Sequence, residues 1–229
     1  MAEQLGRFQM ANEETQTNDT VRRRDAERSR GRILAAAETL FADQGPSASI
    51  NEIAAAAGLN KRMIYHYFSS KEGLWQAVLM HQYEKAAEPE LDFPPEADAA
   101  RIIAHLVERY YRFLAGDRVF VRIMMHENLR GGSTVRRLPV AATKSPILQA
   151  LRASLARLER PEQAEPVLEA DQLLTDCMAL CFFYFSNQAT LSATLGKDLG
   201  DPARIEERIG HVKRFVAAAL SGGFGGPHV

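Results

Sequence analysis

Apolar positions along the chain recur three and four residues apart, the spacing of a helix that buries one face. Ile33, Leu34, Ala37, Leu40 and Phe41 form the first such set, and the charged residues from Asp25 lead into it. Gly45-Pro46 closes this helix. Ser49-Ile50-Asn51-Glu52 is a capping box, in which the serine caps and the glutamate three residues on reaches back. It opens a short alanine-rich helix, Ile50 to Ala57, whose small side chains allow close approach by another helix. Gly58 ends that helix, and Asn60 caps a third, Lys61 to about Tyr67. Ser69-Ser70-Lys71-Glu72 repeats the box pattern and begins a fourth helix, reaching about Ala87. Pro89, Pro94 and Pro95 mark a linker at 88–96. Further helices are expected at about 97–115, 117–129, 144–159, 168–195 and 202–220. Gly131-Gly132-Ser133 and Pro139 make 130–143 a loop. No alternating strand with hairpin chemistry stands out, so the expected fold class is all-α.

Composition alters this picture in only a few places. A chain of 229 residues is large enough for its own core. The longest wholly apolar run, Cys177 to Phe185, is about half of what a bilayer span needs, so no membrane partner is expected. The first residues lack the apolar stretch of a secretory signal, and two cysteines do not make a disulfide framework; both point to the cytoplasm. Residues 1–24 lack apolar periodicity and are expected to be a disordered arm, and the Gly-rich stretch 222–229 is expected to be a flexible tail. The net charge is -1, which excludes a polycation that coats nucleic acid in bulk. Charge is nevertheless uneven: nine Lys/Arg stand against six acids between Arg22 and Glu72. Arg22-Arg23-Arg24 can be a solvated end or an arm laid on DNA.

Ser49 to Lys71 carries the functional signal. Two short helices joined by a tight glycine turn are the pattern of a helix-turn-helix, whose second helix enters the major groove of DNA. On a helical wheel, Lys61, Arg62, Tyr65 and His66 fall on one side, and Ile64 and Phe68 fall on the other. The first set offers cations for phosphates or guanine and hydrogen-bonding rings. An ordinary amphipathic surface helix would also have a polar face, but not this combination of short length, two caps and an alanine-rich neighbour.

Ile53-Ala54 through Ala57-Gly58-Leu59, then Met63-Ile64-Tyr65-His66-Tyr67-Phe68, then Ser70-Lys71-Glu72-Gly73-Leu74, resembles the DNA-binding domain of the TetR family of transcriptional regulators. Ile33 to Ala37, Leu40-Phe41 and Gly45 resemble the family's first helix, so the likeness covers roughly residues 28–80. The resemblance implies a helix-turn-helix DNA-binding domain at 25–72, with three helices, and a helical ligand-binding and dimerisation domain at 73–221. It implies a homodimeric, ligand-responsive repressor that binds a double-stranded DNA operator and a small-molecule effector. It also implies DNA contacts at Ser49, Lys61, Arg62, Met63, Tyr65, His66 and Lys71. Tyr67 stays open: the wheel puts it toward the core flank, whereas family members often use that position near DNA. Arg62 and Met63 stand where many members have a small residue. Ile64, Phe68, Leu40 and Phe41 read as core.

The second half is less legible. Leu173 to Phe185 is apolar nearly all round and must be covered on more than one side. With the resemblance, 168–195 and 202–220 are assigned to the dimer interface, the alternative being a central helix of a monomeric core. An effector pocket needs apolar walls and a few polar groups. Candidates are Tyr83, Arg109, Phe113, Met124, Met125, His126, Phe182, Phe183 and Asn187, although such a stripe also suits a plain core. Arg109 or Arg122 could pair with a carboxylate ligand. Cys177 and Cys181 lie one turn apart and invite a thiol-sensor reading, against which buried cysteine is a common small hydrophobe. His126-Glu127 opens like a zinc-protease motif, but Arg130 stands where the second histidine belongs. No metal, cofactor or catalytic set is therefore expected, and an enzyme is the outsider. The alternative within DNA-binding proteins is control by a partner protein or co-repressor.

Overall fold

The structure is a computed structural model and describes residues 2–87, 97–140, 145–157 and 169–220, the side chains of 2–21 and 145 excepted. Among the described residues the regular elements are all helical. They are α1 (Ala2–Gln44), α2 (Ile50–Ala57), α3 (Lys61–Phe68), α4 (Lys71–Ala87), α5 (Ala99–Gly116), α6 (Arg118–Leu129), α7 (Ser145–Ala156), α8 (Ala170–Ser186), α9 (Gln188–Leu195) and α10 (Pro202–Leu220), with short 3-10 turns at Gly45–Ser47 and Val135–Arg137. The linker 88–96 and the tail 222–229 lie outside the described residues. The chain divides into two compact units, 1–78 and 79–229, with the boundary inside α4.

Two helices depart from the expected bounds. The backbone of 2–24, read above as a disordered arm, continues α1 as helix. This stretch has no proline and a single glycine, Gly6, and a helix already nucleated by packing propagates through such residues. The expected helix 168–195 is broken at Asn187 into α8 and α9. The Asn187 side-chain amide donates to the Phe183 carbonyl at 3.2 Å and to Ser186 Oγ at 2.9 Å. Asparagine competes with the backbone ladder in this way and ends helices.

In the first unit, Ile33, Ala37 and Phe41 of α1 meet Ile53 and Ala57 of α2, Ile64 and Phe68 of α3, and Leu74, Trp75 and Val78 of α4 in one buried core. Leu40, expected in that core, is only half-buried, on its flank. Trp75 is fully buried and meets Phe41 edge-to-face at 5.1 Å. In the second unit, α5 is central, packed by α6, α7, α8 and α10. Tyr111 of α5 donates to the Leu180 carbonyl at 3.0 Å and receives a bond from Arg208 Nε at 3.3 Å. Burial pushes the Tyr111 phenol up to about 12, against Arg208, whose hydrogen bond and charge lower it.

The turn from α3 to α4 has no slack. Ser69 takes a positive φ of 63°, rare for a residue with a side chain. Ser70, not Ser69, is the cap: its Oγ accepts from Gly73 N–H at 2.9 Å. The expected reciprocal glutamate is absent, because the third helical position is Gly73. A Cβ there would collide with the Phe68 carbonyl oxygen. Gly73→Ala must therefore part α3 from α4. It is expected to destabilise the first unit by about 1–3 kcal/mol, read as an earlier unfolding transition in Trp75 fluorescence. An unchanged transition would show that the turn can yield.

Candidate nucleic-acid interface and effector cleft

Eight residues are too few for a helix to persist alone in water. α3 is held by its ends and by two anchors. Asn60 Oδ1 accepts from the backbone N–H of Arg62 at 2.9 Å and of Met63 at 3.3 Å. Upstream, Ser49 and Glu52 form the capping box of α2, and Gly58 ends α2 in the left-handed conformation at φ 62°. Ile64 and Phe68 are buried. What remains outward is Lys61, Arg62, Tyr65 and His66, with Met63 and Tyr67 half-buried. Tyr67 lies between the rings of His66, at 5.0 Å, and Phe68, at 6.5 Å. The ring thus packs on its neighbours without being fully enclosed.

Lys61, Arg62 and Lys71 make no ion pair with any described residue. A cationic surface left uncompensated suits a polyanion. Ser49 is half-buried at the start of α2, where its Oγ already accepts from Asn51 N–H at 3.2 Å, leaving its own hydroxyl proton to donate. α1 braces this arrangement. The Arg30 guanidinium lies 5.3 Å from the centre of the Phe68 ring, and Arg32 reaches the Gly58 carbonyl at 3.5 Å.

The second unit contains a cleft of about 450 Å³, within the size range of small-molecule sites. Its walls are Tyr83 and Ala86 of α4, Tyr110 of α5, Phe120, Met124 and Asn128 of α6, and Thr175, Met178, Ala179 and Phe182 of α8. None of these side chains is charged. Burial, joined by the charge of Glu127, raises the Tyr83 phenol, and burial likewise raises Tyr110. Both therefore keep their protons, and at neutral pH the walls offer neutral hydroxyl groups. Glu127 itself is buried and committed to the backbone, accepting from the N–H of Thr134 at 2.6 Å and of Val135 at 3.0 Å. It ties the loop after α6 to that helix.

Of the expected pocket residues, Tyr83, Met124 and Phe182 line the cleft. Arg109 does not; it borders a separate void of about 30 Å³ and donates to the Ala86 carbonyl at 2.8 Å, in the last turn of α4. It therefore satisfies a helix end that lacks donors. Phe113 packs against Phe120 at 5.0 Å and stacks on Tyr110 at 6.4 Å, supporting two wall residues. Met125 and Phe183 point outward, His126 is half-buried off the wall, and Asn187 is the hinge between α8 and α9. The reason is rotation: Phe120, Met124 and Asn128 share one face of α6, and the positions just after Met124 turn away. The same four-residue spacing, and Thr175-Met178-Ala179-Phe182 on α8, is the signal by which the missed wall residues could have been found.

Cys177 and Cys181 are both buried free thiols. Burial, with the charge of Asp176, pushes Cys177 up to about 12, and burial raises Cys181 as well. A sensor needs thiolate and access, and neither is present.

The family model described as "Bacterial regulatory proteins, tetR family" matches residues 33–78, and the model described as "Tetracyclin repressor-like, C-terminal domain" matches 100–216. The chain is 35% identical over 197 residues to the HTH-type transcriptional repressor NicS of Pseudomonas putida, covering 81% of this chain and 90% of that one. It is 43% identical over 56 residues to the HTH-type transcriptional activator FasR of Mycolicibacterium smegmatis, which is 24% of this chain and 26% of that one. Among solved structures, the transcriptional regulator SCO4942 of Streptomyces coelicolor shares the fold with a TM-score of 0.62 at 23% identity, over 82% of this chain and 97% of that one.

Two outcomes follow from these positions. Lys71→Ala is expected to weaken binding to every DNA sequence and to flatten the salt dependence by about one ion per subunit. Arg62→Ala is expected to change base preference at one position by about 1–3 kcal/mol; a uniform loss in a binding-site selection would remove base reading from Arg62. The thiols are expected to stay unreactive toward Ellman's reagent at pH 8 until the chain is unfolded. Their raised values add stability that is complete below the ordinary thiol value of 9 and is lost as pH climbs toward about 12. Rapid native labelling would restore the sensor reading.

Proposed function

The chain belongs to the TetR family of bacterial regulatory proteins, and from that premise we propose that it is a homodimeric cytoplasmic repressor, released from its operator by a small molecule. The observation that carries the reading is the outer face of α3, where Lys61, Arg62, Tyr65 and His66 stand exposed on a helix closed by Asn60 and anchored by Ile64 and Phe68. Ser49, Met63, Tyr67 and Lys71 complete the proposed DNA contacts. Two copies would place α3 in successive major grooves of a partly palindromic site, about 34–36 Å apart. The likeness to NicS, a named repressor, favours repression over activation.

Dimerisation is supported by apolar side chains left outward on the last helices: Phe183 of α8, Leu195 of α9 and Phe215 of α10 are all roughly half-exposed. A second copy would cover such a surface through a two-fold axis.

The cleft supports effector control. Its aromatic and methionine walls, its neutral hydroxyl groups and the commitment of Arg109 elsewhere favour an uncharged, largely aromatic effector over a carboxylate. An effector shifts DNA affinity only by its difference in affinity for two conformers. α4 is the candidate lever, since it carries Lys71 near its start and the cleft residues Tyr83 and Ala86 near its end. Gln82 on the same helix is fully buried with neither amide atom hydrogen-bonded among the described residues. An unsatisfied buried amide costs about 1–3 kcal/mol, which a shifted α4 could recover.

The test begins with selection of bound sequences from a random DNA pool at physiological salt. The expected product is a palindrome with two half-sites. A neutral aromatic library is then screened for release of that DNA. Ala179→Phe, which fills the cleft, is expected to keep operator affinity within about threefold and to lose the response to any compound that releases the natural chain. No enriched palindrome sinks the dimeric reader. A response that survives the filled cleft sinks the effector site, and DNA binding that only a second protein controls would favour partner control instead.

A further inference from the structure

We propose that the arginines at 22–28, on the part of α1 beyond the first unit's core, form a second DNA-contacting surface that grips the phosphate backbone flanking each half-site. The core contribution of α1 starts at Ile33. Before it, residues 22–32 hold six arginines against two carboxylates. Arg22, Arg23, Arg24 and Arg28 are all exposed. Arg22 and Arg24 have no ion-pair partner among the described residues, and the pairs Arg23–Glu27 at 3.2 Å and Arg28–Asp25 at 3.8 Å are themselves exposed. Exposed pairs of this kind hold little and exchange readily for phosphate.

The occupant follows from the pattern of charge. The segment has no apolar stripe: Ala26 is its only hydrophobic residue, and its arginines point to all sides of the helix. No protein groove suits such a surface. A duplex backbone does, since it presents repeated negative charge and asks for no single register. The surface also continues the α3 interface. Arg30, at the root of the segment, lies over Phe68, the last residue of α3, and Arg32 reaches the carbonyl of the turn residue Gly58. From Arg30 back to Arg22 the helix advances about 12 Å, the rise of three or four phosphates on one strand. The four arginines at 22–28 thus extend the footprint without reading bases.

The proposal rests on the DNA-binding reading above, and its test separates the two. The full chain and its R22A/R23A/R24A variant are titrated between 50 and 200 mM KCl with two duplexes: the palindrome recovered by selection with flanks of ten base pairs, and the same palindrome without flanks. Each lost phosphate contact lowers the salt slope by about 0.9. The variant is expected to lose two or more from its slope on the flanked duplex. A loss of 2.7 means that the natural chain weakens about 40-fold more than the variant across that range. Base preference is expected to stay unchanged, the slope difference to shrink on the unflanked duplex, and R22K/R23K/R24K to keep the natural slope. Trp75 fluorescence verifies that each variant is folded. Equal slopes on the flanked duplex, or a difference that persists without flanks, would overturn the second surface alone. A natural chain that selects no sequence would overturn it together with the DNA-binding reading.

Discussion

An eight-residue helix cannot hold itself together in water, and the outward chemistry of this protein is mounted on one. α3 exists because both its ends are closed and two of its side chains are buried. Asn60 supplies acceptors for backbone N–H groups at the start. Ile64 and Phe68 tie it to the core that Phe41 and Trp75 also fill. The Phe68 carbonyl, with Gly73 directly against it, sets how α4 leaves. Burial of two residues therefore decides the direction of four others. Lys61, Arg62, Tyr65 and His66 face outward because the opposite side of the helix has no freedom to rotate.

The two units divide chemistry by charge. In the first, the exposed cations on α3 and along the early part of α1, and the half-buried Lys71, lack strong acidic partners among the described residues. In the second, charges are paired with one another: Glu108 with Lys213 at 2.8 Å and Arg112 at 3.2 Å, Arg112 with Glu206 at 2.7 Å, and Lys85 with Asp117. The cleft beside them is lined by neutral groups. The first surface complements a polyanion, the second carries the proposed effector site, and the protein's near-neutral total hides the difference.

Buried polar groups of the second unit also mark what is structural. Glu127 sits where a metal-binding motif appeared to open, yet it is consumed by the N–H groups of Thr134 and Val135. Arg109, a candidate for a ligand carboxylate, is consumed by the end of α4. Cys177 and Cys181 are small buried side chains. In each case a chemically active residue type serves a backbone or a core, and the lining of the cleft falls to residues with weaker chemistry.

Local rules were enough for the reader of DNA. Its capping box, the left-handed Gly58, the Asn60 cap and the alternation of anchors and cations on α3 are all consequences of neighbours within four residues, which a linear sequence displays. The same holds for most helix positions and for the break before Pro202. The split of the helix expected over 168–195 is local too, an Asn187 amide on the Phe183 carbonyl four residues earlier, although periodicity alone does not show it. Two features depended on packing. The α3–α4 cap moved to Ser70 because Gly73 must clear a carbonyl five residues earlier. The cleft drew Tyr83, Met124 and Phe182 from the expected set but excluded Arg109, Phe113, Met125, His126, Phe183 and Asn187, and its other walls include Tyr110, Phe120 and Thr175. Its walls come from four helices; four-residue spacing shows which positions share a face, but which faces meet is fixed by partners distant in the chain.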